Sequence, residues 1–143
     1  MPAPGEGARF GLLVVSHGDL AFELVRALER IVGQVDHVRA LPLNPSDDLA
    51  GSRGVLQKAI EEVDPGGGVL ILTDMFGGSA TNLTLPLLRD GIEILTGANL
   101  PMLVKYANIR TSVTLKEAVA RIKEQGQRSI AIATEYLEPG QEG

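Results

Sequence analysis

The chain has 143 residues, 44% of them hydrophobic, and a formal net charge of −5. That length suits one domain able to bury on the order of two thirds of its unfolded surface. The acidic balance, without a basic run, argues against nucleic-acid and anionic-membrane partners, and the absence of cysteine excludes disulfides, thiolate metal sites and thiol catalysis.

Three Phe, two Tyr and no Trp leave the core to Leu, Val, Ile and Ala. Residues 1–8 and 138–143 read as short tails of a single domain spanning 1–143. The first residues, MPAPGEGAR, lack the apolar h-region of a signal peptide. No apolar run reaches the ~20 residues of a membrane span. The expectation is a soluble, cytoplasmic protein without membrane insertion.

The first predicted strand, residues 10–16, is nearly continuous in apolar side chains, as a strand covered on both faces must be. Asp19 is placed to cap a helix through about Val32, with Leu20, Leu24, Leu28 and Ile31 on one face and Gly33 as its stop. The second strand, 37–43, is more polar and suits a sheet edge. Ser46 is the expected cap of a second helix, supported by Asp47 and Asp48 near its N-terminus; Leu49, Leu56, Ile60 and Val63 form its stripe. DPGGG (64–68) is a turn, followed by a short apolar strand at 69–73.

DMFGG (74–78) reads as a loop, and Ser79 as the cap of a helix to about Arg89 that Pro86 kinks. Strand four is 92–96. Pro101 suits the first turn of a short helix to about Asn108. Thr114 and Glu117 form a capping box for a helix expected to end at Gly126. Residues 129–134 are the last predicted strand. Strands alternating with helices indicate an α/β protein with a mostly parallel sheet.

Ligands in such sheets bind at the carboxyl ends of strands, beside the point where strand order reverses. His17 follows strand one and Asp74 follows strand three. In a 2-1-3-4 order these strands are neighbours. Alone, His17 is either a satisfied polar residue or a base, metal ligand or nucleophile. Alone, Asp74 is either a turn residue or a functional carboxylate. As a pair, Asp74 would accept a hydrogen bond from one ring nitrogen of His17 and leave the other nitrogen's lone pair outward. In FGGSATN (76–82), Gly77 and Gly78 allow close backbone approach, and helix-start amides at Ser79 suit an anion. No Walker or GxGxxG motif is present. An imidazole, an orienting carboxylate and an anion cradle describe a histidine that accepts a phosphoryl group, driven by positioning and electrostatics. His37, beside Asp36 on the edge strand, reads as a surface residue.

On three segments, GLLVVSHGDLAFELVRALERIVG, GVLILTDMFGGSATN and GANLPMLVKYAN, the chain resembles the IIA domains of the mannose family of the sugar phosphotransferase system (PTS). The resemblance runs from about Phe10 to Thr134. It implies a three-layer sandwich: a parallel sheet of order 2-1-3-4 with helices on both faces, plus an antiparallel fifth strand that family members commonly exchange in a homodimer. It implies that His17, through Nε2, takes a phosphoryl group from the carrier protein HPr and passes it to a IIB domain, here on a separate chain. Asp74 matches the aspartate that holds the other ring nitrogen. Gly77, Gly78 and Ser79 match the loop around the phosphoryl group, and Gly18 keeps side-chain bulk away from the imidazole. No cofactor or divalent metal is implied. Many members carry Trp where Phe76 stands. Acidic Asp19 and Glu23 suit a positively charged HPr.

Three further readings stay open: a IIA-like regulator that reports phosphorylation state, the phosphotransfer subunit of dihydroxyacetone kinase, and a binding module in which His17 is structural. Hydrolysis by a histidine phosphatase is disfavoured, because Ser16 stands where that class places an arginine beside its histidine.

Overall fold

The computed structural model describes residues 7–44, 48–75, 77 and 79–137. Most of the two tails, Ser46, Phe76 and Gly78 therefore lie outside the described residues.

Four parallel strands form the sheet: β1 (Gly11–His17), β2 (Val38–Leu43), β3 (Val69–Thr73) and β4 (Ile92–Thr96). Their order is β2-β1-β3-β4, so β1 and β3 are central neighbours and β2 and β4 are edges. Alternation along each strand sends side chains to two cores. Leu12, Val14, Leu70 and Leu72 pack under α1 (Leu20–Val32), α4 (Leu100–Ile109) and α5 (Leu115–Arg128). Leu13, Val15, Val69 and Ile71 pack under α2 (Leu49–Val63), with Leu83 of α3 (Ser79–Thr84) in the same core. The result is a helix–sheet–helix sandwich, and the buried continuous runs of β1 and β3 follow from having helices on both faces.

One aromatic pair fixes the lower end. Tyr106 meets Phe10 edge to face with centroids 5.3 Å apart, and its hydroxyl donates to the Phe10 carbonyl at 2.8 Å. Both rings are fully buried.

Several local expectations are corrected. The inner face of α1 is Ala21, Leu24, Val25 and Leu28, whereas Leu20 and Ile31 are exposed at its margins. The α2 cap among the described residues is Asp48, whose Oδ2 accepts from Gly51 N at 3.2 Å. Pro86 does more than kink α3: the α-helix ends at Thr84 and a 3-10 turn spans Leu85–Leu87, since proline has no N–H for an α-helical bond. α5 passes through Gly126 to Arg128. Gly126 is there for contact, because a Cβ at this position would collide with Met102 of α4. Its carbonyl also accepts from Asn99 Nδ2 at 3.1 Å.

The expected fifth strand is absent among the described residues of the single chain. Ser129 closes α5, residues 130–132 pair with no strand, and Ala133–Tyr136 make a 3-10 turn. A strand needs a neighbour for its N–H and C=O groups; in the single chain this segment makes no ladder with the open β4 edge, although Ile130 lines the groove beside it.

His37 is less superficial than expected. It adopts φ 58°, is 34% exposed, and its Nδ1 lies 3.1 Å from the Val63 carbonyl, so the ring is held against the end of α2.

Candidate functional site

His17 is the last residue of β1, at the carboxyl edge of the two central strands. Three local devices position it. Ser16, fully buried, accepts the Ala21 N–H through Oγ at 2.7 Å. This is the cap that starts α1; Asp19 occupies the N-cap position but makes no side-chain capping bond. Gly18 turns the chain at φ 54°, in the left-handed region that costs glycine little, and donates its N–H to Leu43 O at 3.0 Å. The strand-to-helix turn is thereby tied to β2 on one side and to α1 on the other.

Asp74 follows β3 directly. Its Oδ2 accepts both the backbone N–H of His17 at 2.9 Å and the ring Nδ1 at 2.8 Å. Its Oδ1 accepts from Met75 N at 2.9 Å. A carboxylate only accepts, so Nδ1 bears the ring proton and the lone pair is left on Nε2. The His17 side chain is 43% exposed while that of Asp74 is only 11% exposed. Burial, the strongest influence on Asp74, pushes its carboxyl up; the hydrogen bonds from His17 and Met75 outweigh it and hold the group below its ordinary 3.8. The pair is thus a half-exposed imidazole backed by a sheltered carboxylate.

The loop after Asp74 is anchored by Thr81, a buried residue whose Oγ1 donates to Met75 O at 2.8 Å. Gly77 has φ 84°. Ser79 is the first residue of α3. The structure brings His17, Gly18 and Asp74 together; Gly78 lies outside the described residues.

Leu20 and Phe22 of α1 and Met75, which follows Asp74, are exposed apolar side chains. Glu23, expected to present free negative charge, pairs with Arg26 at 3.1 Å on the open helix surface. Among the described residues no group of three or more His, Asp or Glu side chains could hold a metal ion, and no helix is long and apolar enough to cross a membrane.

Ser16 and Thr81 were not recognised in the sequence as positioning residues. Ser16 has a faint signal, a polar residue closing an apolar run one position before the histidine. Thr81 has none, because its partner is a carbonyl across a loop.

The family described as "PTS system fructose IIA component" matches residues 11–123. The chain belongs to this family. It is 24% identical over 129 residues to the fructose-specific EIIA component of Bacillus subtilis, covering 89% of this chain and 88% of that protein. It is 25% identical over 122 residues to the mannose-specific EIIAB component of Escherichia coli, covering 83% of this chain but only 38% of that longer protein. Among solved structures, a PTS IIA protein associated with the fucose utilization operon of Streptococcus pneumoniae is 31% identical, with a TM-score of 0.77 over 90% of this chain and 96% of that one. The mannose/sorbose IIA subunit of Enterococcus faecalis shares the fold, with a TM-score of 0.75 and 24% identity over 85% of this chain and 92% of that one. This IIA-family chain is therefore a component of the sugar phosphotransferase system, a class of phosphotransferases.

Proposed function

We propose that this IIA-family chain is a cytoplasmic phosphocarrier in sugar uptake: Nε2 of His17 takes a phosphoryl group from phospho-HPr and passes it to a IIB domain on another chain. The observation that carries this reading is the 2.8 Å contact between His17 Nδ1 and Asp74 Oδ2. It fixes the tautomer in which Nε2 is a nucleophile without prior loss of a proton.

In the transfer, the Nε2 lone pair attacks phosphorus. The Nε2–P bond forms as the donor's N–P bond breaks, and that electron pair returns to the donor ring. The His17 ring gains positive character, and the Asp74 carboxylate balances it. Onward transfer is the same step reversed, with IIB as acceptor. Gly18, Gly77, Gly78 and Ser79 would surround the phosphoryl oxygens; the left-handed turns at Gly18 and Gly77 support this assignment by keeping side chains off that approach. No metal or organic cofactor takes part in this scheme. The half-exposed ring suits exchange between proteins, since a macromolecular donor must reach Nε2 from outside.

We further infer a homodimer formed by strand exchange. Ile130, Ile132, Tyr136 and Leu137 are exposed. A groove of about 580 Å³ beside the open β4 edge is lined by Leu85, Leu88, Ile94, Val119 and Ile130 among others. An incoming segment 129–134 would pair with that edge and cover apolar surface.

Incubation with phosphoenolpyruvate, Enzyme I and HPr tests the carrier reading. The expected result is label at His17 that is acid-labile, passes to a IIB domain and is lost in His17→Ala. Equal labelling of the variant would overturn it.

A further inference from the structure

We propose that Thr73 is a positioning residue of the phosphoryl site, whose hydroxyl takes its hydrogen bond only when His17 is phosphorylated. The inference rests on the phosphocarrier reading and deepens it.

Thr73 is the last residue of β3 and immediately precedes Asp74. It is fully buried, and its Oγ1 is the buried side-chain polar atom left without a hydrogen-bond partner among the described residues. The other buried hydroxyls around the site are engaged: Ser16 with Ala21 N, Thr81 with Met75 O, and Thr84 with Thr81 O. A buried hydroxyl without a partner destabilises the state it is in. Valine has nearly the same shape, favours strands equally and carries no such cost. The hydroxyl therefore contributes nothing evident to the unphosphorylated fold.

Its placement points to the phosphorylated one. Thr73 is in register with Val15, two residues before His17 on the adjacent strand. Leu13 and Val15 of β1, and Val69 and Ile71 of β3, lie in the core under α2 and α3. By the two-residue alternation of strands, His17 and Thr73 are the next side chains on that same face. α3, which begins at the expected anion loop, packs on both strands there. Thr73 itself is fixed, because β3 is paired on both sides and its carbonyl accepts from Ala98 N at 2.9 Å. Any partner must arrive at the hydroxyl. A phosphoryl group on Nε2 brings three acceptor oxygens to this end of the face, and Oγ1–H donates to one of them, directly or through one bridging water. No bond to hydrogen is broken; the hydroxyl only rotates.

Thr73→Val and Thr73→Ser test this. Each variant is labelled at His17 with phosphoenolpyruvate, Enzyme I and HPr, and the melting temperature is read with and without the phosphoryl group. Thr73→Val should melt higher than wild type when unphosphorylated. Phosphorylation should then raise its melting temperature less than that of wild type, and the transfer equilibrium with HPr should move roughly tenfold toward phospho-HPr. Thr73→Ser should restore the wild-type equilibrium. A purely structural threonine would change both forms equally, so an unaltered equilibrium in Thr73→Val overturns the proposal. If Thr73→Val does not fold, a Thr73→Ser variant whose equilibrium is displaced from wild type overturns it instead. A wild-type protein that takes no label at His17 overturns the phosphocarrier reading, and this inference with it.

Discussion

One oxygen of Asp74 holds His17 twice, at the backbone N–H and at ring Nδ1, 2.9 and 2.8 Å away. The carboxylate therefore fixes the main chain at the end of β1 as well as the ring that projects from it. Removing its charge should disturb orientation and tautomer together.

Asp74→Asn preserves size but offers an amide that also donates. The tautomer with the proton on Nδ1 loses its preference, and Nε2 is no longer reserved as the nucleophile. Phosphoryl transfer to His17 should slow by on the order of tenfold or more. Nitrogen NMR of the labelled ring should show a single tautomer in wild type and a mixture in the variant. A single tautomer in both would contradict the proposed pairing.

The same carboxylate makes stability depend on acid. Its folded pKa lies below the ordinary 3.8, so below that value the unfolded chain binds the proton more readily. The stabilisation is complete above about pH 4 and is lost as pH falls through the folded pKa. Denaturant midpoints of wild type and Asp74→Asn should therefore differ near neutrality and converge in acid. A gap that stayed constant down to strong acid would show that Asp74 contributes no charge-dependent stability.

Ser16→Ala leaves the Ala21 N–H of α1 buried without its acceptor. The cost should be about 1–2 kcal/mol in chemical unfolding. Asp19→Ala, which removes no capping bond, should change stability far less. Equal losses from the two variants would assign the cap to the wrong residue.

Gly126→Ala should separate α4 from α5. The added methyl meets the side chain of Met102, first at Cε and also at Cγ and Sδ. A loss of about 1–3 kcal/mol is expected. Shortening the partner with Met102→Ala in the same chain should give a double variant less damaged than the sum of the single losses. Strict additivity would remove the contact as the cause.

A chain ending at Arg128 should stay folded and become monomeric. All four strands and both cores lie before that point. Sedimentation of full-length and shortened chains measures the difference, and a full-length monomer would refute the exchanged strand.

The uninterrupted aliphatic runs of β1 and β3 and the cap at Thr114 made most of the fold legible, because those signals are local. So was the pairing of His17 with Asp74, once the chain's resemblance supplied the sheet order. Gly126 misled because a glycine that ends a helix and one that admits a neighbouring methionine look alike in sequence. Asp19 misled for a related reason: an acidic residue before a helix satisfies the capping rule, yet the buried Ser16 hydroxyl is nearer the amide. Residues 129–134 have strand composition, but composition does not by itself pair them with an edge, and in the single chain 130–132 join no strand. Thr73 is invisible as a special residue in a run of β-branched and aliphatic neighbours. Only its burial without a partner distinguishes it.

His17 sits on the rigid middle of the sheet with one free ring nitrogen. In the proposed carrier role two proteins cannot occupy that nitrogen's approach at once, so a donor and an acceptor would have to take turns. The turnover of such a chain is then set by how quickly each visitor leaves. A partner that bound very tightly would lower flux, and selection for throughput favours brief, weak encounters over a stable complex.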